Sequence, residues 1–126
     1  MTIVIANYVC KFVMRSCLKC PTMNLQNSTG VYMLIPSIVK IAGVNYKIEF
    51  APLKTENECS GRAILGRAII QIDDSMCADL KNATLIHEIL EVIKEENQLK
   101  MSHRALQTMA TQIYQVIVDN HEVFQK

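Results

Sequence analysis

Residues 38–50 read IVKIAGVNYKIEF, and their pattern decides the fold class. Val44, Tyr46, Ile48 and Phe50 alternate with Asn45, Lys47 and Glu49, the two-residue period of a strand with one buried face. Residues 38–41 supply an antiparallel partner, with Ala42-Gly43 as a two-residue turn between the strands. Downstream, residues 52–60 read as a polar connection. Residues 62–65 and 68–72 then read as a second hairpin around Gly66-Arg67, ended by Asp73-Asp74-Ser75. Three or four strands therefore precede any long helix.

Past residue 80 the period changes. Ile86, Ile89, Leu90 and Ile93 recur at i, i+3, i+4 and i+7, an apolar helical stripe. Leu106, Met109, Ala110, Ile113 and Ile117 form a second stripe. Asn82 is the expected N-cap of the first helix and Asn97 lies near its end, while Ser102 is the expected cap of the second. A small antiparallel sheet of three or four strands followed by two packed helices is an α+β domain.

Composition sets the outer limits. The chain has 126 residues, close to one domain at about 150 residues each. Half of the residues are hydrophobic and 20% are charged, a globular composition. Thirteen basic and twelve acidic side chains leave a net charge of +1, which argues against a phosphate-neutralising surface, so no nucleic-acid partner is expected. Residues 1–14, MTIVIANYVCKFVM, are apolar but broken by Lys11 and followed by Arg15 and Lys19. A signal peptide carries its charge before the apolar run, and a spanning helix needs about 20 apolar residues. The expectation is a cytoplasmic protein with no membrane partner.

Residues 21–30, PTMNLQNSTG, are linker-like, and Met33 opens a more regular pattern. Residues 1–32 accordingly read as a poorly defined extension, or as a misplaced gene start, and residues 33–126 as the domain. The five cysteines, Cys10, Cys17, Cys20, Cys59 and Cys77, are odd in number and come without a secretion signal, so reduced thiols are expected. Cys17 and Cys20 have the spacing of half a zinc knuckle, but no second pair follows.

The chemistry concentrates in residues 84–91, TLIHEILE. At about 100° per residue, with Ile86 at zero, His87 lies near 100° and Glu91 near 140°, so both flank the apolar stripe on one side of the helix. An imidazole nitrogen and a carboxylate oxygen placed there can share one Zn²⁺. Glu88, a further 100° or so round from His87, is placed to take a proton from water activated by the metal. This is the mechanics of the H-E-x-x-H metallopeptidase helix with Glu91 in the last position. A plain alternative is a solvated acidic face of Glu88, Glu91, Glu95 and Glu96, with Glu91 pairing Lys94.

The second helix contributes further candidates. Relative to Leu106, His103 falls near 60°, Tyr114 near 80° and Gln107 near 100°, one strip beside that helix's own apolar stripe. Packing the two apolar faces together would bring His103 or Gln107 opposite His87 and Glu91. His103 is the better zinc ligand, because an amide is a poor partner for that ion. The plain alternatives are a surface or capping role for His103 and a half-buried amphipathic role for Tyr114. His121, near the carboxyl end, is given no role.

Together, residues 38–48 (IVKIAGVNYKI), 68–73 (AIIQID), 84–91 (TLIHEILE) and 113–120 (IYQVIVDN) resemble the small phage- and mobile-element-encoded proteins related to the ImmA/IrrE-type zinc metallopeptidases. The order and spacing of these segments span about seven-tenths of the chain. The resemblance implies a minimal zincin-like fold, Zn²⁺ as cofactor, and a protein or peptide substrate such as a repressor. It matches His87 to the first zinc ligand and Glu88 to the general base. The chain departs from the family at two of three ligand positions, with Glu91 where a second histidine is usual and Gln107 where an acidic ligand often stands. His87, Glu91 and His103 would restore the usual set of two histidines and one carboxylate, with histidine and carboxylate exchanged between the helices. The resemblance is equally compatible with an inactive binding module on the same fold.

Overall fold

The computed structural model of the chain describes residues 4–7 and 35–124. The elements run β1 (Val4–Asn7), β2 (Ile38–Ile41), β3 (Val44–Ala51), α1 (Leu53–Asn57), β4 (Gly61–Ile64), a 3-10 turn (Leu65–Arg67) and β5 (Ile69–Asp73). They continue with α2 (Ala78–Glu96), α3 (His103–Asp119) and a short α4 (His121–Phe124). This is the expected α+β arrangement, a sheet followed by packed helices.

Both expected hairpins form. β2 and β3 pair antiparallel across Ala42-Gly43, whose φ angles of 50° and 84° suit the turn that matches strand twist. β4 and β5 pair antiparallel around the 3-10 turn, where Ala68 takes a φ of 52°. The connection expected over residues 52–60 carries the five-residue helix α1.

The sheet differs from the expected one in two respects. β1, from the start of the chain, adds a fifth strand antiparallel to β4, with Ile5 opposite Ala63. The sheet is also mixed rather than wholly antiparallel. Its order is β1-β4-β5-β3-β2, and β5 runs parallel to β3, with Ile48 opposite Ile70 and Phe50 opposite Ile72. The reason is burial. Ile70 and Ile72 are fully buried, so β5 takes a central place between β3 and β4, which the α1 crossover allows.

The core lies between one face of this sheet and α2. Tyr46, Ile48, Ile70 and Ile72 from the strands meet Leu80, Leu85 and Val92 from the helix. Asp73, at the end of β5, fixes the entry to α2. One of its oxygens accepts the Lys54 N–H at 2.9 Å, and the other accepts from the Ser75 N–H and hydroxyl. With that turn held, α2 starts at Ala78 behind Cys77, and Asn82, the expected cap, is instead a buried residue inside the helix. Asn97 does end α2 and Ser102 does cap α3.

Cys77 is disulfide-bonded, which corrects the expectation of reduced thiols throughout. Which thiols meet in space is a property of the fold that cysteine count and spacing do not carry. Cys59 is a buried thiol, and Cys17 and Cys20 lie outside the described residues. Among the described residues, no helix is long and apolar enough to cross a membrane.

Candidate metal centre

α2 carries His87, Glu88 and Glu91 on its covered side. His87 and Glu88 have no exposed surface and Glu91 has 3%, whereas Ile93, expected in the apolar stripe, is 36% exposed. The helix has two partners, the sheet and α3, so cover extends round to the side that its sequence pattern marks as polar. The solvated acidic face is therefore corrected for Glu88 and Glu91. Ion pairing of Glu91 with Lys94 is present, Nζ lying 3.9 Å from Oε2.

Gly61 permits the close approach of α2 to β4. A Cβ at that position would lie 2.6 Å from Thr84 Cγ2 and 3.0 Å from Glu88 Oε1. Glu88 is thus turned towards the start of β4, fully enclosed. Nothing in the sequence pattern marks Gly61, because its role depends on Thr84, 23 positions downstream in the chain.

α3 is returned along α2 by a short connection. Leu99 N–H donates to Lys94 O at 2.9 Å and Asn97 Nδ2 donates to Ile93 O at 2.8 Å, closing the end of α2. Ser102 Oγ then accepts the Ala105 N–H at 3.1 Å, so His103 is the first residue of a capped helix. Leu106 and Ala110 seat α3 against the rest of the molecule. Tyr114 donates its hydroxyl to Asp79 Oδ1 at 2.6 Å, tying the far part of α3 to the first turn of α2. Tyr114 is thereby a half-buried packing residue, and His121 sits at the opposite end of α3 from His103.

These constraints bring His87, Glu91 and His103 together, with one potential ligand atom from each all within 4.8 Å of one another. Glu91 Oε1 lies 3.6 Å from His87 Nε2 and 3.9 Å from His103 Nδ1, and the two imidazole centres are 5.2 Å apart. Neither carboxylate distance is a formed hydrogen bond, which requires roughly 2.7–3.2 Å. Both ring nitrogens of His87 are buried without a hydrogen-bond partner. Such a group costs about 1–3 kcal/mol each when left unsatisfied.

A metal ion fits this observation. Ligands about 2.0–2.1 Å from a tetrahedral zinc are roughly 3.3 Å apart, closer than the spacing here, where the ligand atoms lie up to 4.8 Å from one another. His103, whose side chain is 48% exposed, has the freedom to close that gap. Gln107, one turn further along α3, has a buried side-chain oxygen without a hydrogen-bond partner.

Electrostatics favour the ligand forms of two of the three groups. The polar contact with His87 holds the Glu91 carboxyl below its ordinary range against the opposing effect of burial, with Lys94, His87 and His103 charges adding to the lowering. Burial pushes His103 below its ordinary value, and the neighbouring His87 adds to this, while Glu91 opposes it. A metal ligand must be neutral imidazole or ionised carboxylate, so both shifts act in the same sense. Comparison with known proteins gives no match to a family model, to a curated protein or to a solved structure.

Proposed function

We propose that this protein is a metal-dependent hydrolase, a zinc metallopeptidase, with His87, Glu91 and His103 as its metal ligands. The observation that carries the reading is the convergence of two imidazoles and one carboxylate, from two helices, with all three ligand atoms within 4.8 Å. Three protein ligands of this type, with a fourth position open, are the pattern of catalytic zinc sites. Zinc, when bound, supplies a Lewis acid that brings the pKa of water down towards about 7.

The chain's own residues supply the rest. Glu88, adjacent to His87 and enclosed beside Gly61, accepts a proton from the attacking water and returns it to the leaving amine. Its burial keeps bulk water from competing for that proton. The protein or peptide substrate, a repressor included, belongs to the same proposal. So do the phage or mobile-element association and the cytoplasmic location. These rest on the resemblance of residues 38–48, 68–73, 84–91 and 113–120.

A second reading, a metal-binding module without catalysis, is favoured by the complete enclosure of Glu88. The two are separated by Glu88→Gln in the full chain, assayed for zinc content and for cleavage of a mixed peptide pool. The peptidase reading expects unchanged zinc and no cleavage, because an amide cannot accept the proton. Equal cleavage by the variant removes Glu88 from the reaction. A zinc-loaded wild type that cleaves no peptide leaves the binding module in its place. Two histidines and one carboxylate also suit non-haem Fe(II), so iron is measured alongside zinc.

A further inference from the structure

The two oxygens of Glu91 face different partners. Oε1 is the oxygen near both histidines, 3.6 Å from His87 Nε2 and 3.9 Å from His103 Nδ1. Oε2 instead lies 3.9 Å from Lys94 Nζ, one turn further along α2. The Glu91 side chain is 4% exposed and that of Lys94 is 23% exposed. This pair is therefore largely removed from the solvent that makes surface ion pairs weak. Lys94 also lies 3.9 Å from Glu95 Oε1; at this range the contacts are ion pairs without a formed hydrogen bond, and the buried Glu91 Oε2 has no hydrogen-bond partner.

From this division we infer that Lys94 is a positioning residue that makes Glu91 a one-atom ligand. The inference rests on the metal-site reading above and extends it to the number of coordination positions filled. A carboxylate left to itself can bind a metal through one oxygen or both. With both, His87, His103 and Glu91 would supply four donor atoms, and a water or substrate would join only as a fifth, raising the coordination number above four. With Oε2 drawn towards the ammonium, they supply three and leave the fourth position of a four-coordinate site for water or substrate, as catalytic zinc requires. A single carboxylate oxygen with two imidazoles also disfavours Ca²⁺, which needs six to eight oxygen ligands.

The test uses the full chain loaded with Co²⁺, whose visible absorption is strong in a four-coordinate site and weak at higher coordination number. Wild type, K94R, K94M and K94Q are compared, with circular dichroism as the check on folding. Wild type and K94R are expected to show the strong band. K94M and K94Q are expected to bind Co²⁺ with a severalfold weaker band, because Oε2 is released to join the metal. A strong band retained in both K94M and K94Q overturns the inference and leaves the metal site standing. The same holds if K94R loses the band as they do. A wild type that takes up no Co²⁺ overturns both the inference and the metal-site reading beneath it.

Discussion

Replacing Gly61 by alanine would put a methyl group at the closest approach between β4 and α2. The added Cβ would lie 2.6 Å from Thr84 Cγ2, 3.0 Å from Glu88 Oε1 and 3.2 Å from the Gln71 carbonyl oxygen. Carbon atoms are comfortable at about 3.5–4.0 Å, so the threonine methyl must retreat by roughly 1 Å. Thr84 is β-branched on a helix and has few rotamers to choose from. The Gln71 oxygen belongs to the backbone of β5 and cannot move alone. The helix itself must therefore shift, and overpacking of this kind costs about 1–3 kcal/mol. For 126 residues at about 2.1 cal/mol/K each, that is a fall in Tm of roughly 4–11 °C. Thermal unfolding followed by circular dichroism reads it directly. Thr84→Ser removes Cγ2, so adding Gly61→Ala to that background should cost clearly less than it does in wild type. An unchanged Tm for Gly61→Ala, or no relief from Thr84→Ser, would refute the argument that Gly61 is the gap into which α2 docks.

Two other predictions address the second helix and the charges. Leu106 is one of only two buried residues among those described in α3, so Leu106→Ala should destabilise by about 2–5 kcal/mol in urea titration. It should also weaken zinc binding by loosening His103, and zinc affinity equal to wild type would show that α3 does not position the ligand. The pH dependence follows from the shifts of His103 and Glu91. Below its ordinary value of 6.5 the unfolded chain protonates His103 while the folded chain resists, and below 4.5 the same holds for Glu91. Protons then bind the unfolded state preferentially, so metal-free stability is full above pH 6.5 and falls on acidification through each folded-state pKa. Urea titrations should show that fall beginning near 6.5 and reduced in His103→Gln; stability that rises on acidification would contradict the assignment.

The parts of the fold legible in the sequence were those with a local period. Alternation over residues 44–50 located β3, and Ala42-Gly43 located its turn, because strand period and turn chemistry are nearest-neighbour properties. The parallel pairing of β3 with β5 depends on which strand takes the central place, a decision made across the whole sheet. The same limit explains α2. Its apolar stripe points to one covered face, yet two partners cover it, and His87, Glu88 and Glu91 lie within that cover. The spacing of His87 and Glu91 and the helical angles on α3 narrowed the residue facing them to His103 or Gln107, and the fold brings His103 to the pair. Gly61 and the disulfide at Cys77 left no local mark, since each depends on a distant neighbour.

The central claim is that two helices meet to hold one metal ion, and zinc content tests it most directly. The measurement is elemental analysis of the full chain and of its His87→Ala variant after purification and dialysis. Because His87 is buried with both ring nitrogens lacking hydrogen-bond partners, it is the ligand whose loss should be most complete. The account predicts about one zinc per chain in wild type and none in the variant. No zinc in wild type after incubation with excess metal, or equal zinc in both proteins, would contradict it.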